Sequence, residues 1–190
     1  MQKIIEELIL KLKLFKGADK DELFKLLGDA EIKEYNPGEL ISKKDEYSEN
    51  CAIVAKGSVA IEVPQAKTNK TMKVVLGAGE IVGEIAVLSG NPSTANIKAE
   101  TAVTLVVIPK KKLLKLIDKV PVFKKGLDDL YRERALKTHL MKCHIFSGVS
   151  NTVLEKLAET VTLHTFKKDE VIFNQGDVSD AFYLVRYGFV

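Results

Sequence analysis

The chain has 190 residues, of which 46% are hydrophobic and 29% are charged. This balance is typical of a globular protein with room for one complete domain and part of another. The net charge of +3, from 29 basic and 26 acidic residues, is too small to predict nucleic-acid binding.

Two features of the sequence predict a cytoplasmic location. The cysteines, Cys51 and Cys143, are far apart and form no disulfide framework, as expected in a reducing compartment. The N-terminus has Glu6 and Glu7 where a signal peptide would have an apolar core. In addition, no apolar run reaches the roughly 20 residues that a membrane span needs. We therefore expect no membrane partner.

Short helices are predicted at the beginning of the chain. Apolar residues spaced through residues 2–14 predict an amphipathic helix. Asp19 is a typical N-cap, and Glu22 follows it three residues later. These residues predict a second helix that ends near Leu27 and Gly28.

A series of short strands follows, and turn residues separate them. The strands are predicted at residues 30–35, 39–42, 51–54, 58–63, 72–76, 81–82, 96–99 and 103–108. After Pro109 the apolar spacing becomes helical and predicts a short helix at 113–117 and a longer one at 120–141. The predicted fold class is therefore mainly β with helices: a double-stranded β-helix, or jelly-roll barrel, with N-terminal helices and two C-terminal helices.

The segment from Val82 to Ala95 contains the predicted site. Gly83 and Glu84 follow a buried strand and begin a short helical turn, and a Gly-Asn-Pro turn with small hydroxyl residues comes next. Glycine allows the backbone to approach a ligand closely, and the first N–H groups of a helix bind anions. The residues therefore predict a cradle for a small ligand that bears a phosphate.

The last part of the chain repeats the first part. A shift of 131 residues aligns the two without a gap, as from Phe15 to Phe146. Other identical pairs are Gly17/Gly148, Leu23/Leu154, Glu39/Glu170, Ile41/Ile172, Val54/Val185, Gly57/Gly188 and Val59/Val190. The sequence thus predicts one domain at residues 1–142 and the N-terminal part of a second copy at residues 143–190. Because a half-barrel has open edges, we expect a piece of a longer protein or a partner chain that covers them.

The cradle carries a family resemblance. Its sequence, Val82-Gly83-Glu84-Ile85-Ala86-Val87-Leu88 followed by Pro92-Ser93-Thr94-Ala95, resembles the phosphate cassette of the cyclic-nucleotide-binding domain family. This jelly roll is shared by the catabolite activator protein, kinase regulatory subunits and cyclic-nucleotide-gated channels. In the repeat, Phe182–Val185 and Gly188–Val190 resemble the hairpin that precedes the cassette in that family.

The resemblance implies a ligand and its contacts. Glu84, which follows Gly83, would accept a hydrogen bond from the ribose 2′-hydroxyl of cAMP or cGMP. The backbone N–H groups that would hold the cyclic phosphate belong to Ile85, Ala86, and Thr94 or Ala95. Carboxylate–hydroxyl pairing and backbone donors around an anion are both physically sound.

One position departs from the family pattern. The arginine that pairs with the phosphate falls at Ser93, which is neutral and too short for a bidentate pair. Loss of one side of a buried charge pair costs roughly 2–5 kcal/mol. At about 1.4 kcal/mol per factor of ten, binding of cAMP or cGMP is expected to weaken some thirtyfold to several thousandfold. Lys73 and Lys98 are the candidates to replace the arginine if the fold turns them inward.

Simpler interpretations stand beside the functional ones. Glu84 also fits the role of a helix-cap carboxylate. His139 and Cys143 have the i, i+4 spacing of zinc ligands, but no further ligand is evident, and a helix end explains them. No pattern of paired carboxylates or Ser-His-Asp type is present, so we expect no catalytic residues, no metal, no cofactor and no enzyme.

Two functional hypotheses remain open. In the first, a cyclic nucleotide enters the cradle and the helices after Pro109 shift, so that the chain is a regulatory or sensor module. In the second, the fold is intact, the pocket is degenerate, and the domain serves homodimerisation or docking to a partner or effector domain. A transcription factor of the activator class is disfavoured, because the long helix leads into a repeat rather than into a helix-turn-helix.

Overall fold

The computed structural model describes residues 5–7, 12–64, 71–132, 136, 140, 143–146, 148–179, 181–186 and 188–190. The chain divides into two compact units, Met1–Leu127 and Asp128–Val190, called here the first and the second unit. The domain boundary after residue 142 stays a prediction.

The first unit contains two four-stranded antiparallel sheets. The strands are β1 Glu31–Tyr35, β2 Leu40–Ser42, β3 Asn50–Lys56, β4 Ser58–Pro64, β5 Thr71–Gly77, β6 Ile81–Val82, β7 Asn96–Ala99 and β8 Val103–Pro109. The order is β1-β8-β3-β6 in one sheet and β2-β7-β4-β5 in the other. Each predicted strand is present, and its ends lie within two residues of the prediction. Neighbours that are distant in sequence, such as β1 and β8, give the crossed connections of a jelly roll.

Side chains from the two sheets meet in a single core. Alternate residues of β3 and β4, among them Val54 and Val59, are fully buried there, together with Leu76, Ile97 and Leu105. The opposite face of β3 carries other fully buried residues, which face away from this core. The barrel therefore needs a second apolar layer outside it, and helices supply that layer.

The α-helices with described bounds up to residue 131 are α1 Lys20–Leu27, α2 Glu84–Ser89, α3 Lys110–Lys119 and α4 Pro121–Tyr131. Two of them, α2 and α3, cover the outside of the sheet that contains β3 and β8, and α1 packs against α3. Both α2 and α3 pack against β3, and α3 also packs against β8. Leu113 and Leu116 of α3 are fully buried, and each such leucine stabilises the fold by about 2 kcal/mol relative to an exposed one.

The N-terminal helix predictions have different outcomes. The Asp19 carboxylate accepts the backbone N–H of Glu22 at 2.9 Å, and Gly28 caps the other end, so the second predicted helix is confirmed as α1. Of the predicted helix at 2–14, residues 5–7 are helical and Lys13–Phe15 form a 3₁₀ turn. Residues 2–4 and 8–11 of that prediction lie outside the described residues.

The long helix predicted at 120–141 is confirmed at the described residues from 121 to 140. Helix α4 has the bounds Pro121–Tyr131, and the next described residues, 132, 136 and 140, are also helical, whereas residues 133–135, 137–139 and 141–142 lie outside the described part of the chain. Phe123 of α4 is fully buried and stacks on Phe15, with ring centroids 5.5 Å apart. This contact anchors the beginning of α4 in the first unit.

The described residues of the second unit include a 3₁₀ turn at His144–Phe146 and a further α-helix, α5 Asn151–Thr160. A small core forms from Tyr131, Leu136, Leu140 and Leu154, and Leu184 packs against it. The described residues between 161 and 190 form no β-ladder, so the predicted hairpin at Phe182–Val190 is not paired within them. The physical reason is that a strand needs a partner for its backbone groups, and these residues pair with none of the described strands.

Local geometry recurs 131 residues along the chain. The Asn36 N–H donates to the Glu39 carboxylate at 2.7 Å, and the Lys167 N–H donates to that of Glu170 at 2.7 Å. Left-handed backbone recurs at the pairs Gly17/Gly148, Gly38/Asp169, Asp45/Gly176 and Gly57/Gly188. The N-cap of α5, Ser150, accepts the Val153 N–H, as Asp19 accepts that of Glu22.

Candidate functional site

A left-handed glycine positions the start of the predicted cassette. Gly83 has φ 79° and ψ −4°, a conformation that side-chain-bearing residues rarely adopt. A Cβ at this position would lie 3.6 Å from the Cys51 Cα, which is ordinary contact, so the dihedral angle and not the space requires glycine. The turn ends β6 and makes Glu84 the first residue of α2.

Glu84 is the buried charge of the site. Its side chain is only 5% exposed, although it lies at the beginning of a helix. The positive end of the helix dipole favours a carboxylate at that place. The N–H groups of Ile85 and Ala86 belong to the same first helical turn, so the predicted acceptor and two predicted donors do lie together.

Cys51 lies beneath this turn, on the neighbouring strand β3. Burial, with a smaller contribution from the Glu84 charge, raises the pKa of the Cys51 thiol strongly. The thiol Sγ donates to the Ile108 carbonyl at 3.5 Å. Cys51 is therefore a protonated, structural cysteine at neutral pH.

The hydroxyl group, the backbone N–H and the carbonyl of Ser93 all make hydrogen bonds within the protein. It is 9% exposed, and its hydroxyl donates to the Ala95 carbonyl at 2.9 Å. Its N–H donates to the Glu46 carbonyl at 2.9 Å, and its own carbonyl accepts the Asp45 N–H at 2.8 Å. Ser93 thus fastens the second half of the cassette to the loop before β3, while Thr94 beside it is exposed.

The two lysines that were candidates to replace the arginine do not face the barrel interior. Lys98 alternates with the buried Ile97 and pairs instead with Glu62, Nζ to Oε2 2.8 Å. Lys73 pairs with Glu100, Nζ to Oε2 2.6 Å. Strand alternation turns both side chains to the outer face of their sheet.

One apolar side chain on the inner face of β5 is partly exposed to solvent. Val74 is 41% exposed and points to the same face as Leu76, which is buried in the core. Its cross-strand partner Ile61 packs against that core. At the cassette, a buried carboxylate and helical N–H groups can hold a compact ligand that has hydroxyl groups and a negative charge.

Sequence reasoning missed the loop at Asp45 and Glu46. These residues bond to Ser93 from about 47 positions away in sequence, and no local pattern signals such a contact. Asp45 has φ 66°, and aspartate tolerates left-handed backbone better than most residues, so its residue type fits the turn but does not indicate the contact with Ser93.

The structure tests the metal and membrane predictions only for the described residues. No cluster of three metal-ligating side chains occurs among the described residues, and His139 lies outside them, so the pairing with Cys143 stays untested. Within the described part of the chain, none of the helices combines the length and the apolar character needed to span a bilayer.

Sequence comparison identifies relatives of the chain. A family model described as "Cyclic nucleotide-binding domain" matches residues 32–120. The cyclic nucleotide-gated channel beta-3 of Canis lupus familiaris is 32% identical over 117 residues, which are 60% of this chain and 15% of the channel. The cAMP-dependent protein kinase regulatory subunit of Eremothecium gossypii is 24% identical over 176 residues, which are 92% of this chain and 35% of that subunit.

Structural comparison gives the same fold. The regulatory subunit of a cAMP-independent protein kinase A from Trypanosoma brucei has a TM-score of 0.60 at 19% identity, over 69% of this chain and 47% of that one. A variant of that subunit with three substitutions, one from threonine to arginine, has a TM-score of 0.53 at 20% identity, over 68% of this chain and 51% of that one. The predicted jelly-roll barrel with flanking helices is confirmed, and residues 32–120 of this chain match the model of the cyclic nucleotide-binding domain family.

Proposed function

We propose that the first unit is a regulatory module whose cradle, between α2 and Ser93, takes a cyclic nucleotide. The observation that carries this proposal is the left-handed Gly83, which places the buried Glu84 carboxylate beside the first N–H groups of α2. Glu84 would accept a ribose hydroxyl, and the N–H groups of Ile85, Ala86 and Ala95 or Thr94 would face the phosphate.

A continuous series of packing contacts supports the proposed coupling between the cassette and the C-terminal helices. Helix α2 packs on β3, and α3 packs on β3 and β8, so that one strand contacts both the cassette helix and the helix that follows the barrel. Ligand binding that shifts α2 would change the packing of α3 and then of α4. Such a shift requires that the ligand bind one arrangement of these helices more tightly than another.

A second candidate is a degenerate module that binds no cyclic nucleotide and serves dimerisation or docking. Ser93 supports it, because its hydroxyl and backbone groups are bonded within the protein and neither Lys73 nor Lys98 faces inward. The Trypanosoma brucei subunit described as cAMP-independent offers a parallel, since its variant with a threonine-to-arginine change is the one described as bound to cAMP.

Calorimetric titration with cAMP and cGMP separates the two candidates. If the cradle takes a cyclic nucleotide, we expect the natural chain to bind at millimolar concentration, since Ser93 replaces the arginine, and if the module is degenerate we expect no binding. Ser93→Arg is expected to bind at least about thirtyfold more tightly, since it restores a charge pair worth roughly 2 kcal/mol or more. The matched control, Asn91→Arg, adds the same charge at an exposed position two residues away and should gain no affinity.

Each outcome decides between the candidates. Binding by the natural chain at millimolar concentration or tighter contradicts the degenerate module. Binding by Ser93→Arg alone contradicts the sensor role for the natural chain and supports degeneracy. No binding by either protein, with the fold intact by circular dichroism, overturns the cyclic-nucleotide cradle.

We also propose that residues 143–190 are the N-terminal part of a second domain of this family. The recurring turns and caps support it, as does the kinase regulatory subunit whose similarity extends over 92% of the chain. A cytoplasmic location and a homodimer or effector partner remain predictions.

A further inference from the structure

An arginine far along the chain is bound to the end of α4. Arg186 Nη1 donates to Asp128 Oδ1 at 2.6 Å, and its Cζ lies 3.8 Å from the centre of the Tyr131 ring. The side chains of Arg186 and Asp128 are only 16% and 21% exposed. An arginine can make both contacts at once because its guanidinium is planar, whereas a lysine ammonium is a point charge.

A second arginine makes a hydrogen bond nearby. Arg132, the helical residue next to Tyr131, donates from its Nη1 to the Val161 carbonyl at 2.6 Å. Val161 is the C-cap of α5. Residues 128–132 are thus bonded to α5 by Arg132 and to the segment 181–186 by Arg186.

The other end of α4 has its contacts in the first unit. Phe123 stacks on Phe15, and an added Cβ on Gly126 would lie 2.7 Å from a Leu14 methyl group, so the helix is closely packed there. Phe123 and Tyr131 are about two helical turns apart. Phe123, Asp128 and Tyr131 all belong to one continuous α-helix, α4.

We propose that Arg186 is a positioning residue that couples α4 to residues 181–186. When α4 shifts, the guanidinium either follows Asp128 and Tyr131 and moves its segment, or loses both contacts and releases it. This device goes beyond nucleotide binding, because it responds to the position of α4 whatever causes the shift. Its test therefore needs no ligand.

Limited proteolysis of the full chain measures how firmly the segment is held. Phe182 and Tyr183 are exposed and are cleavage sites for chymotrypsin. Arg186→Met is expected to speed cleavage there about tenfold, as the loss of one hydrogen bond between charged groups predicts. Arg186→Lys, which keeps the charge but not the planar stack, should give an intermediate rate. Lys156→Met, at an exposed position of α5, should leave the rate unchanged.

A double-mutant cycle then tests the coupling. Phe123→Leu removes the stack on Phe15, and it should speed cleavage after Phe182 and Tyr183 in the natural background but not in Arg186→Met. Equal factors in both backgrounds mean that the two sites are independent, which overturns the proposal. So does an Arg186→Met rate equal to that of Lys156→Met.

NMR provides a second measurement of the coupling, for the case in which a variant is cleaved faster because it has lost structure. In the natural chain the Tyr131 ring should shift the NMR signals of the Arg186 side chain upfield. Phe123→Leu should reduce that shift while circular dichroism stays unchanged. An unchanged shift in a folded Phe123→Leu variant contradicts the coupling.

Discussion

Val54 and Val185 occupy equivalent positions of the 131-residue repeat, yet the first is fully buried and the second is 48% exposed. In the first unit, β3 lies between β8 and β6, which pair with both of its edges. Among the described residues of the second unit, none pairs as a strand with residues 181–186. A valine at this position of the repeat is therefore buried where its strand has paired neighbours and exposed where the described residues pair with none.

The turns and helix caps of the two units are alike, whereas the burial of equivalent side chains differs. The bond from the Asn36 N–H to Glu39 and the one from the Lys167 N–H to Glu170 have the same length, 2.7 Å. Such contacts depend on residues three positions apart, so they form wherever the local sequence allows. Burial depends on strands from far along the chain, and the two units differ there.

The largest expected difference between the units concerns a glycine pair. A Cβ on Gly57, with φ 75°, would lie 2.1 Å from the Ala102 carbonyl oxygen, whereas Gly188, with φ 95°, has nothing within 4 Å. Gly57→Ala should lower the free energy of unfolding by about 3 kcal/mol, from backbone strain and overlap together. Gly188→Ala should lower it by about 1 kcal/mol, from strain alone. Urea unfolding followed by circular dichroism measures both, and equal losses would contradict the comparison.

Burial at the valine pair should give the next largest difference. Val54→Ala removes two buried methyl groups and should lower the free energy of unfolding by about 2 kcal/mol. Val185→Ala changes a half-exposed side chain and should stay within about 0.5 kcal/mol. Amide exchange in β3 and in α5 assigns each change to its unit. A loss of similar size in Val185→Ala would mean that this valine is covered in solution.

The helix caps should give equal effects, and this result would sharpen the distinction between local and long-range structure. Asp19→Ala and Ser150→Ala each remove one acceptor for a first-turn N–H group. Each should cost about 1 kcal/mol. Amide exchange in α1 and in α5 measures the two losses. A cost at Asp19 with none at Ser150 would show that the local equivalence does not hold.

Sequence alone could predict the elements that depend on nearby residues. Strands β6 and β7 were predicted with the bounds that the structure has, and the Asp19 cap was predicted from Glu22 three residues later. The orientation of Lys98 was left open, although its neighbour Ile97 is a core residue and strand alternation turns Lys98 outward. A prediction of which face of β7 is buried would have determined the orientation of Lys98.

The rest of the site required contacts that no local pattern contains. The bonds of Ser93 to Asp45 and Glu46 join residues whose proximity follows from the sheet order. For the same reason, the sequence predicted what an arginine at Ser93 would do but not that the serine hydroxyl is bonded to the Ala95 carbonyl.

The buried thiol beneath the cassette has a practical consequence. Alkylating reagents react with the thiolate, and Cys51 is buried with a raised pKa, so its modification requires local opening of the structure around it. Cys143 is only partly buried. The alkylation rate of Cys51 therefore reports how often the structure around β3 opens, and a compound that bound this region in the closed state would slow the reaction.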